Sequence, residues 1–181
     1  MDGSPSNTRD FSSPGSGLAR SAAAGAVAAG VGAILWMIFV QVTGYEVGIV
    51  AVGIGFLVGQ AMAATAGTST QLPPIGAVLA VIGCLLGQIL TDAHFFGEAV
   101  GLGTARALQE MVSDLNLGWD VFTTGFSVID LLFWAIAGYE GYKLTARAVA
   151  GRQVARTAPP QPPVADYFPP AGPAAETSSG A

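Results

Sequence analysis

The chain has 181 residues, of which 51% are hydrophobic and 10% are charged. Soluble domains carry about 25% charged residues, so this composition indicates a protein that lies in a lipid bilayer. The net charge of −5 argues against nucleic-acid binding, because the sequence has no basic patch that would neutralise phosphates. With one cysteine, Cys84, and one histidine, His94, the chain also lacks the residues for an intrachain disulfide or for a metal site of clustered Cys or His.

The first 43 residues divide into a polar tail and an apolar stretch. Residues 1–17 are mainly Ser, Gly, Pro, Asn and Asp, a composition that predicts a disordered tail. Residues 18–43 are apolar and predict a first membrane-spanning helix. A secretory signal peptide is the alternative for its start, since Arg20 precedes a run of Ala and Gly. The apolar run is longer than the hydrophobic part of an ordinary signal peptide, which favours an uncleaved helix.

A glycine-rich stretch, residues 47–67, predicts the second span. Residues 44–46 leave only a short connection, so the first two spans form an antiparallel hairpin. Small residues recur every four positions and therefore line one side of this helix. Such a seam lets a second backbone approach closely, which is how helices associate in lipid. The predicted seam consists of Ala51, Gly55, Gly59 and Ala63.

The third predicted span, residues 75–91, follows a polar turn that ends in Pro73 and Pro74, a composition suited to the first turn of a helix. It repeats the small-residue seam with Gly76, Ala80, Gly83 and Gly87. Because a short turn joins the second and third spans, we expect their two seams to face each other.

Charged residues return after the third span. Apolar positions at near-helical spacing over residues 95–117 predict an amphipathic helix that lies on the membrane surface or caps the bundle. Residues 121–144 predict a fourth span with aromatic residues at both boundaries. The membrane domain is thus expected over residues 18–150, followed by a disordered, Pro/Ala-rich cytoplasmic tail over residues 151–181.

The distribution of basic residues predicts the orientation. Four spans place both termini on the same side, and that side carries Arg20, Lys143, Arg147, Arg152 and Arg156. Arg106 is the basic residue that flanks the membrane on the other side. Flanking bases mark the cytoplasmic face, so both termini are expected to be cytoplasmic and the amphipathic helix extracytoplasmic.

Three polar residues within the predicted spans are candidates for a functional role: Asp130, Gln88 and Gln60. Asp130 follows Phe122 by eight residues, which places it ~12 Å below the outer boundary of a continuous helix. A carboxylate at that depth requires a partner or a proton. Gln88 is the expected partner, whereas Gln60 lies nearer the cytoplasmic side. For Asp130, an interhelical hydrogen bond is favoured over a role as a proton or cation site, and both alternatives stay open.

No enzyme signature is present in the sequence. Ser127 and His94 are the only semblance of a nucleophile and a base, and no GxSxG motif surrounds the serine. Asp92, His94 and Glu98 have no spacing that indicates a metal site, and a solvated loop is favoured. We therefore predict no catalytic residues, no cofactor and no metal. Glu140 and Lys143 are expected to form an ion pair at i,i+3 spacing.

Two segments, YEVGIVAVGIGFLVGQAM and FSVIDLLFWAIAGYEGYKL, resemble a group of uncharacterised bacterial four-helix integral membrane domains. That group shows a glycine-rich helix of the type YEIGxxAxGxGxxxG and a last helix of the type DLLFxxxAxxxA. The resemblance covers residues 36–144 and implies an all-α membrane fold. It leaves the function open, because the group has no established activity. Some relatives carry a zinc ribbon before the membrane domain. This chain has no such cysteines, so a zinc-dependent role does not carry over.

The sequence therefore predicts an all-α integral membrane bundle of four transmembrane helices plus an extracytoplasmic amphipathic helix, in the bacterial cytoplasmic membrane. The expected function is that of a non-enzymatic scaffold or accessory subunit. Its expected partners are membrane lipid and either other membrane-protein helices or a second copy of itself. One alternative is a small transporter or channel component that uses Asp130, with Gln88 and Glu46 on its pathway. Another is a sensor whose acidic outer helix detects cations or cell-wall ligands.

Overall fold

A computed structural model describes residues 14–44 and 48–158, which form six helices and no strand. The all-α prediction is confirmed for this part of the chain. The helices are α1 (Pro14–Thr43), α2 (Ile49–Thr65), α3 (Leu72–Ala99), α4 (Thr104–Ser113), α5 (Leu115–Gly125) and α6 (Val128–Thr157).

Two of these helices are long and apolar enough to cross a membrane by length and composition. They are α1, in its 27-residue part from Gly17 to Thr43, and α3, with 28 residues. Helices α5 and α6 pass the same test only as a pair, and they meet at a bend of 89°. Helix α2 is apolar but has 17 residues. Among the described helices, two or three therefore qualify as spans on this basis.

The long helices α1, α2, α3 and α6 pack side by side, and contacts near their ends fix their directions. The hydroxyl of Ser21, near the start of α1, donates to the carbonyl of Thr65 at the end of α2 (2.8 Å). Arg152, near the end of α6, donates to the carbonyls of Ala64 and Ala66, on either side of Thr65. The start of α1 and the ends of α2 and α6 thus lie at one end of the bundle, and α3 starts there after a short turn.

The two ends of this bundle carry side chains of opposite charge. The end that holds the start of α1, called the basic end, carries Arg20, Lys143, Arg147, Arg152 and Arg156. The opposite end, called the acidic end, carries Asp92, Glu98, Glu110, Asp114, Asp120 and Asp130, together with Arg106. Glu140 lies toward the basic end and pairs with Lys143 at 3.1 Å, which confirms the predicted ion pair.

The outer faces of the long helices are apolar. Trp36, Ile54 and Met62 are at most 3% exposed and fill the interior. Many other large apolar side chains point away from it, which soluble monomers rarely show over so continuous a surface. The exposed set includes Val27, Val31, Ile34, Leu35, Ile38, Phe56, Val78, Ile82, Leu86, Leu131 and Leu132.

The single amphipathic helix expected over residues 95–117 is not formed. Helix α3 continues to Ala99, a turn with Gly101 at φ +73° follows, and the chain then folds into the short helices α4 and α5. Asp114 separates these two helices, because its carboxylate accepts from the backbone N–H groups of Asn116 and Leu117 and so caps the start of α5. We call α4 and α5 the α4–α5 hairpin, which packs on α3.

The continuous span expected over residues 121–144 is also wrong, because the helix breaks between α5 and α6. Ser127 is the N-cap of α6: its hydroxyl accepts from the N–H of Ile129 at 3.5 Å. The Asp130 carboxylate in turn accepts from the N–H of Ser127 at 2.7 Å. This reciprocal capping box starts a new helix at that point.

The boundaries of the two expected tails also differ from the structure. Helix α1 begins at Pro14, inside the tail expected over residues 1–17, and α6 continues to Thr157, beyond the domain end expected at 150. The remaining parts of both predicted tails, and Glu46, lie outside the described residues.

Candidate functional site

The predicted seam of α2 packs against α6. A Cβ added to Gly55 would stand 2.7 Å from the Cα of Ala137, and one added to Gly59 would stand 2.8 Å from the Cβ of Leu144. Ala51 is completely buried and Ala63 is half-buried. The two backbones of α2 and α6 therefore approach as closely as the glycine seam allows.

The predicted seam of α3 is shared among three helices. A Cβ on Gly76 would stand 2.9 Å from the carbonyl oxygen of Gly141 in α6. Nearer the acidic end, a Cβ on Gly83 would stand 3.2 Å from the Cβ of Ala29 in α1 and 2.8 Å from Ile54 in α2. Gly87 faces Trp36 of α1, and Ala80 is buried beside Gly141.

The seams of α2 and α3 therefore do not face each other as expected, because α6 packs against both. Gly138 and Gly141 of α6, which sequence reasoning did not single out, permit this arrangement. A Cβ on Gly141 would stand 2.7 Å from the carbonyl oxygen of Gly76, and one on Gly138 would stand 3.2 Å from Val81. Two glycines three residues apart in an apolar helix indicate a surface for close helix packing, and this feature of the sequence could have predicted the contact.

A cluster of buried polar side chains lies near the acidic end of α3. Gln88, Thr91 and Asp92 are 0%, 1% and 7% exposed, respectively. The carboxamide nitrogen of Gln88 donates to Asp92 Oδ1 at 3.1 Å, a contact between residues one helical turn apart. Gly125, at the end of α5, covers this pair: a Cβ added there would stand 2.6 Å from Asp92 Oδ1 and 3.4 Å from Gln88 Nε2.

The predicted pairing of Asp130 with Gln88 is wrong. Because α6 begins after Ser127, Asp130 lies in the first helical turn and caps it, rather than at ~12 Å depth within a continuous helix. Gln60 is exposed on α2 and belongs to neither group. The buried acid is Asp92, which the sequence places just after the predicted third span. The sequence feature that could have predicted this contact is the spacing of Gln88 and Asp92, because residues four apart lie on the same side of a helix.

Several buried polar atoms at the acidic end have no hydrogen-bond partner within the described residues. They are Gln88 Oε1, Thr91 Oγ1 and the indole nitrogens of Trp36 and Trp134. A buried polar group left without a partner costs about 1–3 kcal/mol.

A cleft of about 580 Å³, called the acidic cleft, opens between α3 and α5 beside this cluster. Its lining combines two carboxylates, a threonine and two aromatic rings, and no basic side chain is among the residues that form it. Arg106 of α4 pairs with Glu110, one turn along the same helix, at 3.9 Å. The lining residues are Asp92, Phe95, Phe96, Ala99, Asp120, Val121, Thr124 and Gly125.

A second groove, of about 400 Å³, lies between α3 and the α4–α5 hairpin. Its walls are almost entirely apolar, and they include Trp119 and Leu115, which are 65% and 78% exposed. The full lining is Leu85, Ile89, Leu108, Met111, Val112, Leu115, Gly118, Trp119 and Phe122. This surface is compatible with lipid.

The remaining chemically distinctive side chains have local partners. His94 Nδ1 lies 3.0 Å from the hydroxyl of Thr104, and its Nε2 lies 3.6 Å from Glu98. Cys84 is buried, with its sulfur 4.0 Å from the carbonyl of Ala51, and so fills space between α3 and α2. Across the described ranges, no three His, Cys, Asp or Glu side chains come together in a way that would hold a metal ion.

Comparison with protein-family models, curated proteins and solved structures found no match for this chain. The resemblance to bacterial four-helix membrane domains therefore stays a prediction.

The capping box at Ser127 leads to a stability prediction. Ser127→Ala and Asp130→Ala should each lower the free energy of unfolding by about 1 kcal/mol, because each removes an acceptor from the start of α6. Asp130→Asn keeps a side-chain oxygen acceptor and should be nearly neutral. Thermal unfolding of the purified protein in detergent, followed by circular dichroism, measures all three variants. Alanine variants as stable as the wild type would contradict this assignment.

Proposed function

We propose that this chain is an integral membrane protein whose helices α1, α2, α3 and α6 all cross the bilayer, and that it acts as a non-enzymatic scaffold or accessory subunit. The observation that carries the proposal is the apolar exterior of these four helices, which surrounds a tightly packed interior. In water that exterior would be a large aggregation-prone surface. In a bilayer it meets lipid or the helices of partner proteins.

The packing supports four crossings even though α2 is short and α6 begins at a bend. Helix α2 lies beside α1 and α6 along its length, from the basic end to Gly48, where Phe133 packs. Its 17 residues are at the lower limit for a spanning helix. The α4–α5 hairpin lies outside this bundle at the acidic end and takes the place of the predicted extracytoplasmic amphipathic helix.

The separation of charge supports an orientation. Basic residues that flank membrane spans mark the cytoplasmic face. On this rule the basic end is cytoplasmic, so that both termini lie in the cytoplasm and the acidic end lies outside. The resemblance to bacterial domains makes the bacterial cytoplasmic membrane the proposed location.

The interior argues for a scaffold over a transporter. Toward the basic end, the buried polar side chains of the described residues are Ser21 and Thr145, and both hydroxyls donate to backbone carbonyls at 2.8 Å. Small residues close the space between the helices there, and among the described residues no buried polar side chain lies between Gln88 and these two hydroxyls. The alternative role of Asp130 on an ion pathway loses support because its carboxylate caps α6.

Co-purification tests the proposed function. The full chain is extracted from native membranes in mild detergent, sized, and analysed by mass spectrometry, with an unrelated membrane protein of similar expression as control. We expect a stable complex with another membrane protein, at constant stoichiometry across preparations. A chain that purifies alone and conducts ions when reconstituted in liposomes would contradict the scaffold function.

A further inference from the structure

Gln60 is a polar residue on the outer surface of the bundle. It belongs to α2, and its side chain is exposed. Within the described part of the chain, its carboxamide makes no hydrogen bond. With α2 across the bilayer, Gln60 meets lipid, which offers no partner to its N–H and C=O groups. Polar side chains within spans normally face the interior of a bundle or hydrogen-bond to another helix.

The position of Gln60 along α2 keeps its carboxamide away from the water at the basic end. Helix α2 continues to Thr65, so Gln60 lies ~7.5 Å inside that end of the helix. Side chains on a helix lean toward its N-terminus, which for α2 is the acidic end of the bundle. The carboxamide therefore leans further into the bilayer, where water cannot satisfy it.

The exposed neighbours of Gln60 on α2 suit contact with a second helix. Phe56, one turn toward the acidic end, is 51% exposed, and Ala64, one turn toward the basic end, is also exposed. Residues four apart lie on the same side of a helix. We call these three residues the outer face of α2, which is distinct from the seam that packs against α6. It combines an aromatic ring, a carboxamide and a small residue that permits close approach.

We infer that the outer face of α2 pairs with the same face of a second copy of the chain. Copies in one membrane share an orientation, so a two-fold axis along the membrane normal brings Gln60 of both copies together at equal depth. Two antiparallel carboxamides are complementary in charge, because the N–H of each donates to the carbonyl oxygen of the other. Each Gln60 thereby gains both a donor and an acceptor. This inference rests on the proposed crossing of the bilayer by α2.

The same geometry favours a second copy over a different protein. A different helix would have to present a donor and an acceptor at the depth of Gln60, whereas a copy does so by symmetry. The two-fold axis also places Phe56 beside Phe56 of the other copy, and Ala64 beside Ala64. The aromatic rings can then pack on one side of the amide pair, and the backbones can approach on the other side.

Disulfide cross-linking in isolated membranes tests this interface. In a Cys84→Ala background, Phe56→Cys places a thiol on the outer face of α2, and copper phenanthroline is the oxidant. Ile82→Cys is the matched control, because Ile82 is 40% exposed on α3 and its neighbour Gly83 lies at the depth of Ile54. We expect a covalent dimer from Phe56→Cys only. Equal cross-linking of the two variants, or a mixed disulfide with another protein in place of the dimer, would overturn the pairing.

The Phe56→Cys protein also separates a failure of this interface from a failure of the proposed crossing. With the thiol kept reduced, a membrane-impermeant maleimide is added to permeabilised cells. A thiol within the bilayer does not react, so we expect no labelling. Neither labelling nor a covalent dimer would overturn the pairing and leave the crossing of α2 in place. Labelling would overturn both.

Substitutions at Gln60 measure the contribution of the amide pair. Copies that carry a donor or an acceptor dye at Ala150→Cys, in the Cys84→Ala background, are mixed in liposomes. Energy transfer at increasing dilution in lipid gives their dissociation constant. Gln60→Leu should weaken the association about tenfold, and Gln60→Asn, which keeps a carboxamide, should weaken it less.

Gln41→Leu is the matched control for Gln60→Leu. It makes the same substitution at an exposed residue near the end of α1, away from the outer face of α2, and should leave the association unchanged. Because both glutamines are exposed, both variants are expected to fold. Equal dissociation constants for the two leucine variants, or energy transfer in the wild type that does not exceed random proximity, would overturn the proposal.

Discussion

Gly55→Leu should unfold or misassemble the bundle. The new side chain would start 2.7 Å from the Cα of Ala137, and backbone cannot move aside as a flexible side chain can. Overpacking of this kind costs about 3 kcal/mol, and more where backbone is the obstacle. We expect a lower yield of monodisperse protein and a lower midpoint of thermal unfolding in detergent.

Gly53→Leu is the matched control for this experiment. It introduces the same side chain two residues away on α2, where no atom lies within 4 Å of the added Cβ. Both variants carry the same cost or benefit of replacing glycine within a helix. Their difference therefore isolates the contact between α2 and α6. Equal stability of the two variants would contradict the packing described above.

Gly141→Leu is the second substitution with a large expected effect. A Cβ there would stand 2.7 Å from the carbonyl oxygen of Gly76 and 3.1 Å from the Cβ of Ala80, so α6 would be pushed away from α3. Since α6 also holds α2, both interfaces should loosen together. The loss of stability should again be about 3 kcal/mol or more, measured by the same thermal unfolding.

This variant also distinguishes two arrangements of the bundle. If the seams of α2 and α3 faced each other directly, Gly141 would lie outside the main contact and leucine would be tolerated. Gly151→Leu is the control on α6, because no atom lies within 4 Å of a Cβ at that position. A Gly141→Leu protein as stable as the Gly151→Leu protein would favour the direct contact of α2 and α3.

Much of the fold follows from composition and period. The scarcity of charge and the four-residue spacing of Gly55 and Gly59 predict closely packed apolar helices, and α1, α2 and α3 are found near their expected positions. Which seams meet does not follow from the same pattern. The seam of α2 has no large side chains that would select one partner helix, so the same pattern is compatible with packing against α3 or against α6.

The candidate site was misplaced for a local reason. The prediction of one continuous helix over residues 121–144 placed Asp130 at a depth within the bilayer. Residues 127–130, Ser-Val-Ile-Asp, match the capping-box pattern, which marks the start of a new helix. The third span was predicted to end at residue 91, so Asp92 was expected in a solvated loop. Helix α3 instead continues to Ala99, and Asp92 is buried. Hydropathy marks where an apolar stretch ends. It does not mark where the helix ends, because α3 continues beyond its apolar stretch and packs there against the α4–α5 hairpin.

Membrane topology is the most direct test of the central claim, that four helices cross the bilayer with both ends of the chain on one side. In a Cys84→Ala background, single cysteines are introduced at four exposed positions and exposed to a membrane-impermeant maleimide on intact cells. The positions are Thr43, Thr70, Ala105 and Ala150. We expect labelling at Thr43 and Ala105, and labelling at Thr70 and Ala150 only after the membrane is permeabilised. Thr43 and Thr70 on the same side, or Ala105 and Ala150 on the same side, would contradict the four-helix topology.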